Sequence, residues 1–329
     1  MPTSPDGGGP GGERVLVTGA AGFIGSQLAR RLLALGHEPI GIVRPGGDLW
    51  RLQDLGDSVA LQSLTLVGAD LRELRADAIE GGVSVVYHLG ATGLDPAAAD
   101  PATVLETNVL GTMRALEAAK ALGARRFVYC GSCFEYGPGS RLAEDALLDP
   151  VSEYGVSKLA SAALARAFGR ANRLEIVCLR PFTVYGPLEA PYRLVPYSIR
   201  RALTGAPLEL TGGEQKRDFV YVADVVEGLV AAAKTDGVGG QTLNLCSGAE
   251  TSVRELAELA VELAGTGAEI RLGALPYRDR EISLSGDPGK AAALAGWRAE
   301  TSLRDGLAKT IEWFRANEAL YAEREKERR

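Results

Sequence analysis

The chain has 329 residues, 46% hydrophobic and 24% charged, enough to bury one large core or two modest ones. Its 42 acidic and 36 basic side chains leave a net charge of −6, which argues against nucleic acid or an anionic membrane as a partner. No apolar run reaches about 18 residues, and four cysteines are too few for a disulfide framework, so a reduced, cytoplasmic setting is expected.

Residues 1–12, rich in Gly and Pro, read as a disordered tail and not as a signal peptide. An apolar run over 14–17 enters a glycine turn, and helical spacing follows over 26–35 until Gly36 closes the helix. A second strand over 39–43 ends at Arg44. Strand patterns recur at 63–67, 83–89, 127–130 and 175–179, with helices over 102–122 and 152–169. This alternation predicts an α/β fold, a doubly wound parallel sheet of the Rossmann type. Beyond Pro181 the rhythm changes. Pro187, Pro191 and Pro196 crowd the entry to a helix at 194–203, and 208–210 with Gly212 and Gly213 reads as a small hairpin. A strand at 219–222 and a helix at 224–234 are expected to rejoin the main sheet, followed by a strand at 243–245 and helices at 253–264 and 303–316. The expected division is a nucleotide domain over 13–185, rejoined by about 218–247, and a smaller discontinuous C-terminal substrate cap from 186–217 and 248–329.

A glycine turn between strand and helix lets backbone approach a pyrophosphate while the helix end supplies free N–H groups. Gly19, Gly22 and Gly25 have that placement, with Phe23 and Ile24 in the same turn. The end of the second strand should face the adenosine ribose, where an acid suits a 2′-hydroxyl and an arginine a 2′-phosphate. Arg44 stands there and the nearest acid is Asp48, so NADP(H) is favoured, with NAD(H) as the alternative. Asp70 and Leu71 are placed to flank the adenine, Leu89 and Ala91 to run beside the cofactor, and Pro181 is counted among its contacts. His88 reads as a packed strand residue. Cys130 and Cys133 have C-x-x-C spacing but no second pair, and His37 and His88 are the only imidazoles, so no metal is expected.

Tyr154 and Lys158 are four apart on a predicted helix and share a face. An ammonium beside a phenol favours the phenolate, which would make Tyr154 a usable acid and base near neutrality. Lys158 can also reach a ribose. Ser132, just past a strand end, points a hydroxyl into the crevice where it could orient a carbonyl.

Taken together, the 18–25 turn, Val128-Tyr129-Cys130-Gly131-Ser132 leading to Tyr136-Gly137, Tyr154-x-x-x-Lys158, the 179–187 run Leu-Arg-Pro-Phe-Thr-Val-Tyr-Gly-Pro, Arg217-Asp218-Phe219 and Gly296-Trp297 resemble one family. It is the extended short-chain dehydrogenase/reductase family, specifically its NAD(P)-dependent nucleotide-sugar epimerases, dehydratases and ketoreductases. The likeness runs from about 15 to 314.

The resemblance implies a catalytic Ser132, Tyr154 and Lys158, with Asn108 ordering the cofactor side. It implies a nucleoside-diphosphate sugar held by Arg217 and by Arg278 or Arg280, Cys133 and Thr183 on the substrate side, and a homodimer. Dehydratases of the family carry an acidic pair where this chain has Cys133 and Phe134. Glu135 is one residue further on, which on a strand-like segment turns it to the other face. The favoured reading is NADPH-dependent reduction of the C4 ketone of an NDP-4-keto-6-deoxyhexose. The alternative is an NAD-dependent 4-epimerase with tightly bound NAD, and less favoured are a dehydratase or a non-catalytic nucleotide sensor.

Overall fold

The structure, a computed structural model, describes residues 12–55, 64–93, 100–277 and 282–321. The first half of the chain alternates strand and helix. In order come β1 (Arg14–Thr18), α1 (Phe23–Ala34), β2 (Glu38–Val43), β3 (Thr65–Gly68), β4 (Val85–His88), α2 (Pro101–Leu105), α3 (Gly111–Ala121), β5 (Arg126–Cys130), β6 (Gly139–Leu142), α4 (Glu153–Asn172) and β7 (Glu175–Pro181). After these come β8 (Thr183–Tyr185), α5 (Leu194–Thr204), β9 (Leu208–Glu209), β10 (Lys216–Arg217), β11 (Phe219–Tyr221), α6 (Val222–Lys234) and β12 (Thr242–Leu245). The chain ends through β13 (Thr251–Ser252), α7 (Val253–Ala264), β14 (Ile270–Arg271), β15 (Leu284–Gly286), α8 (Gly289–Ala295) and α9 (Leu303–Ala316).

Seven of these strands form one sheet in the order β12-β7-β5-β4-β1-β2-β3, every neighbouring pair parallel. The expected Rossmann-type α/β fold is therefore present. Such a sheet must be covered on both faces, and the sequence meets that need by placing apolar residues at successive strand positions. Val15, Val17, Val128, Val177 and Leu179 face the cluster that includes Leu28 and Leu32 of α1 and Val225 and Leu229 of α6. Their neighbours Leu16, Phe127, Tyr129, Ile176 and Cys178 face the opposite cluster, with Leu116 of α3 and Ala162 of α4. Each fully buried Val, Leu or Phe contributes about 1.5–3 kcal/mol. Chain order reverses between β1 and β4, so the crevice outside their carboxyl ends is where such a fold places a ligand. A further cluster joins Tyr185, Ile199, Phe219, Leu256, Leu307 and Phe314, from β8, α5, β11, α7 and α9. No described helix is long and apolar enough to cross a membrane.

Four local expectations need correction. The segment at 208–210 makes no hairpin: β9 pairs in parallel with β14, brought beside it from 61 positions down the chain. The strand at 219–222 does not rejoin the main sheet, because β11 pairs with β8 in a two-stranded ribbon and it is β12 that adds beside β7. The helix over 102–122 is broken by a π turn, Glu106–Leu110, between α2 and α3. The segment carrying Glu135 is a single 3₁₀ turn, Cys133–Glu135, so face alternation does not apply to it.

Candidate active site

The turn after β1 brings backbone close to backbone. Gly19 has φ +71°, and a Cβ there would lie 2.8 Å from the Gly90 Cα. The Gly22 N–H donates to the Gly19 carbonyl at 2.9 Å, and a Cβ on Gly25 would collide with that same carbonyl. Gly22 then enters α1 with no side-chain cap and no acid in the first turn, leaving N–H groups and a positive helix end unopposed. Phe23, Ile24 and Gly25 supply that first turn. This cradle fits the pyrophosphate of a dinucleotide.

Around it, Leu71 packs under Gly90, where a Cβ would come within 2.5 Å of the Leu71 Cδ1. The Leu89 N–H donates to the Thr18 carbonyl at 3.2 Å, and Ala91 is exposed just beyond. Arg44 is exposed directly after β2. Asp48 is engaged locally, its Oδ1 accepting from the Trp50 N–H at 2.9 Å. Asp70 caps the turn Leu71–Glu73 and pairs with Arg72 at 2.7 Å; the Arg72 guanidinium holds its carboxyl below the usual range, helped at longer reach by Arg44. Pro181 is buried at the end of β7.

The chemistry-bearing side chains come from β5 and α4. Ser132 follows β5 and heads the 3₁₀ turn in a reciprocal cap: its Oγ accepts from the Phe134 N–H at 3.2 Å, and Glu135 Oε1 accepts from the Ser132 N–H at 3.0 Å. Ser152 caps α4 by accepting from the Gly155 N–H at 3.1 Å. Gly155 lets the helix lie on the turn, because a Cβ there would run into the Phe134 carbonyl and lie 2.9 Å from the Pro150 Cβ. Tyr154 is thus brought within hydrogen-bonding reach of the Ser132 hydroxyl, its ring edge-on to Phe134 at 6.3 Å. Lys158, 3% exposed, donates from Nζ to the Cys130 carbonyl at 2.5 Å and sits 4.7 Å over the Tyr129 ring.

The electrostatics differ from the sequence expectation. Burial pushes the Tyr154 phenol well above its ordinary value, and the Ser132 hydrogen bond offsets only part of this. Burial also lowers the Lys158 ammonium. Desolvation is the largest cause in both cases, and the Lys158 Nζ is engaged by the Cys130 carbonyl. Both shifts favour the uncharged forms, the phenol of Tyr154 and the amine of Lys158.

On the opposite wall, the Thr183 N–H donates to the Asp218 carbonyl at 2.9 Å, which sets the start of β8 beside Arg217. Arg217 donates to the Ile282 carbonyl, and its charge reaches Cys133, whose thiol burial nevertheless pushes up to about 12. Cys130 and Cys133 are both buried free thiols. Arg278 and Arg280 lie outside the described residues. Asn108 sits in the π turn; its Nδ2 donates to Ser157 Oγ at 2.8 Å and to the Thr92 carbonyl at 2.9 Å, and its Oδ1 accepts from the Thr92 N–H at 2.8 Å.

Sequence reasoning assigned no task to the groups that hold this wall in place. Arg180, 2% exposed, pairs its Nε with Glu135 Oε2 at 2.8 Å and donates from Nη1 to the Tyr136 hydroxyl at 2.8 Å, which donates to Asn244 Oδ1 at 2.9 Å. Asp218 is buried and accepts from the Ser247 N–H and Oγ and from the Gly248 N–H, pinning the loop after β12. Both residues stood inside motifs; for Arg180 the signal available was a charged residue after the apolar run of β7, whereas Asp218 follows Lys216 and Arg217 between β10 and β11 and gave no such signal.

A profile of the NAD dependent epimerase/dehydratase family matches residues 15–246. The chain is 35% identical to a UDP-glucose 4-epimerase of Mycolicibacterium smegmatis over 92% of this chain and 98% of that protein. It is 31% identical to a dTDP-glucose 4,6-dehydratase of Streptomyces antibioticus over 93% and 94%. A solved structure of MoeE5 in complex with UDP-glucose and NAD superposes with a TM-score of 0.81 at 36% identity, covering 92% of this chain and 99% of that one. With a matching profile over most of its length and relatives of this identity over nearly all of it, the chain belongs to the NAD dependent epimerase/dehydratase family, within the extended short-chain dehydrogenase/reductases.

Proposed function

We propose that the protein is a 4-epimerase of a UDP-linked hexose that works with a retained NAD. The observation that carries this reading is the approach of Tyr154, with Lys158 one helical turn on, to Ser132 just past the end of β5, in the same parallel sheet whose β1 leads into the uncapped end of α1. The full-length similarity to a UDP-glucose 4-epimerase and to a protein seen with UDP-glucose and NAD supports it.

NAD, when bound, would supply the acceptor and then the donor of a hydride at C4 of the sugar. To take the O4 proton in the first half of the reaction, Tyr154 must enter as the phenolate. Burial alone favours the phenol, so its proton would be released to solvent on cofactor binding, with the nicotinamide charge and the Lys158 ammonium favouring the anion. Tyr154 then returns the O4 proton in the second half, as the hydride comes back on the other face. Ser132 holds O4 by a hydrogen bond, and Lys158 holds the nicotinamide ribose. Arg217, with Arg278 or Arg280, binds the diphosphate, while Cys133 and Thr183 line the sugar. Residues 186–217 and 248–329 form the cap over it, and two copies associate as a homodimer.

Elimination of water would need a further acid and base, and the residues nearest Ser132 do not offer them. The Cys133 thiol is held protonated, and both Glu135 oxygens are committed, one to the Ser132 N–H and one to Arg180. A second reading, NADPH-dependent reduction of an NDP-4-keto-6-deoxyhexose at C4, is favoured by Arg44, exposed where a 2′-phosphate would lie. The test is to identify the nucleotide released on denaturing the purified protein and to follow UDP-glucose by NMR with no cofactor added. Retained NAD and formation of the C4 epimer are expected. Turnover only of a 4-keto-6-deoxy sugar, with consumption of NADPH, would overturn the first reading in favour of the second.

A further inference from the structure

The buried imidazole at the end of β4 has no part in the chemistry above. His88 is 1% exposed, with the Phe127 ring at 5.5 Å and the Tyr129 ring at 6.0 Å. Its Nδ1 lies 2.8 Å from Thr18 Oγ1 and its Nε2 2.9 Å from Thr112 Oγ1. The Thr112 hydroxyl donates its one proton to the Asn108 carbonyl at 2.6 Å, so towards His88 it can only accept. Nε2 therefore carries the ring proton. On the other side Thr18 Oγ1 accepts from the Gly90 N–H at 3.1 Å and has its own proton left for Nδ1. Burial, with Lys158 nearby, holds the imidazole down to about 3, so it stays neutral and keeps Nδ1 as an acceptor.

The two ends of this chain of hydrogen bonds lie in different halves of the site. At one end Gly90 is the backbone against which Gly19 closes. At the other, Asn108 donates to Ser157 Oγ, which donates to the Tyr154 carbonyl at 2.7 Å. Every link has one direction, from the Gly90 N–H through Thr18 to His88, and from His88 through Thr112 to Asn108. Such a chain fixes relative position more tightly than apolar packing, since a shift at either end leaves a buried polar group unpaired.

We propose that His88 is a positioning residue that sets the glycine turn and the Tyr154 segment in register through this directional chain. The inference rests on the reading of Tyr154 as the proton carrier. Two histidines in the sequence make it directly testable. In the ¹⁵N-histidine-labelled full-length protein, His88 is expected to show the neutral Nε2–H tautomer, without titrating between about pH 5 and about pH 8. His88→Asn keeps an acceptor where Nδ1 stood, and His88→Gln keeps a donor where Nε2 stood. His88→Gln is expected to weaken NAD⁺ binding about tenfold while leaving kcat at saturating NAD⁺ within about twofold; His88→Asn should do the reverse. An Nδ1–H tautomer, a titrating imidazole, or variants that lose both properties equally or neither would overturn the proposal. If the parent protein turns over no UDP-sugar, the functional reading fails, while the tautomer still decides the role of His88. The tautomer measurement also stands if a variant does not fold.

Discussion

At the scale of single residues, burial is the largest influence on the Tyr154 phenol and the Lys158 ammonium. Burial favours the Tyr154 phenol over the phenolate, and in the proposed reaction this group carries the O4 proton, so Tyr154→Phe is expected to lower kcat by about 10²–10⁴-fold while NAD⁺ affinity, measured by titration, changes little. A comparable loss in both would assign Tyr154 to cofactor binding instead. Glu189 is a second case. It is 5% exposed, its Oε2 has no hydrogen-bond partner, Arg193 stands 3.7 Å away from its other oxygen, and burial raises its pKa from 4.5 to about 8. Between those values the folded state holds a proton that the unfolded state has released. Stability from this group is thus complete below about pH 4.5 and declines by up to about 1.4 kcal/mol per pH unit as pH rises towards about 8. Glu189→Gln should flatten that limb of a urea-denaturation series, and an unchanged slope would show that Glu189 ionises normally. The glycines, Ser132, Tyr154 and Lys158 were legible because their chemistry follows from residue type and spacing. Arg180 and Asp218 were not, because their partners Glu135, Tyr136, Ser247 and Gly248 lie far off in sequence or on a turn with no periodic signal.

At the scale of elements, the site depends on where a helix end meets a turn. Gly155 permits α4 to lie on the 3₁₀ turn Cys133–Glu135, and that contact sets the Ser132 to Tyr154 approach. Gly155→Ala would have to part them, since the obstacle is the Phe134 backbone carbonyl and not a flexible side chain. The expected outcome is a fall in kcat of about tenfold or more with the helix content by circular dichroism retained. Full activity would mean that the approach is not set at this contact. The strands and helices up to β7 were readable from their apolar periods. The π turn at Glu106–Leu110 was not, because the apolar pattern runs through it unbroken while the backbone takes in one extra residue. The pairing of β9 escaped for another reason: its partner is the two-residue β14, too short to carry a period and remote in sequence.

At the scale of the whole molecule, the order β12-β7-β5-β4-β1-β2-β3 gathers the ends of β1, β4, β5 and β7 along one edge, so that Thr18, His88, Cys130 and Pro181, far apart in sequence, end on the same side of the sheet. Parallel pairing with helical crossovers was implied by the strand and helix alternation, whereas the placement of β11 with β8 and of β12 beside β7 was decided by tertiary packing among short segments of similar composition. The same wall is closed from behind by Asp218 and by Asp224, whose carboxylate accepts from the Thr301 N–H at 2.9 Å and whose carbonyl accepts from Trp297 Nε1 at 2.7 Å. The Trp297 and Thr301 contacts tie the segment between α8 and α9 to α6. In the proposed reaction a hydride leaves C4 of the sugar and returns to the same carbon. The most direct measurement is therefore the fate of the label when the protein, with no cofactor added, is given UDP-glucose deuterated at C4. The C4 epimer with deuterium still at C4 is expected; label lost to solvent, or no product until a reduced cofactor is supplied, would overturn the proposed reaction.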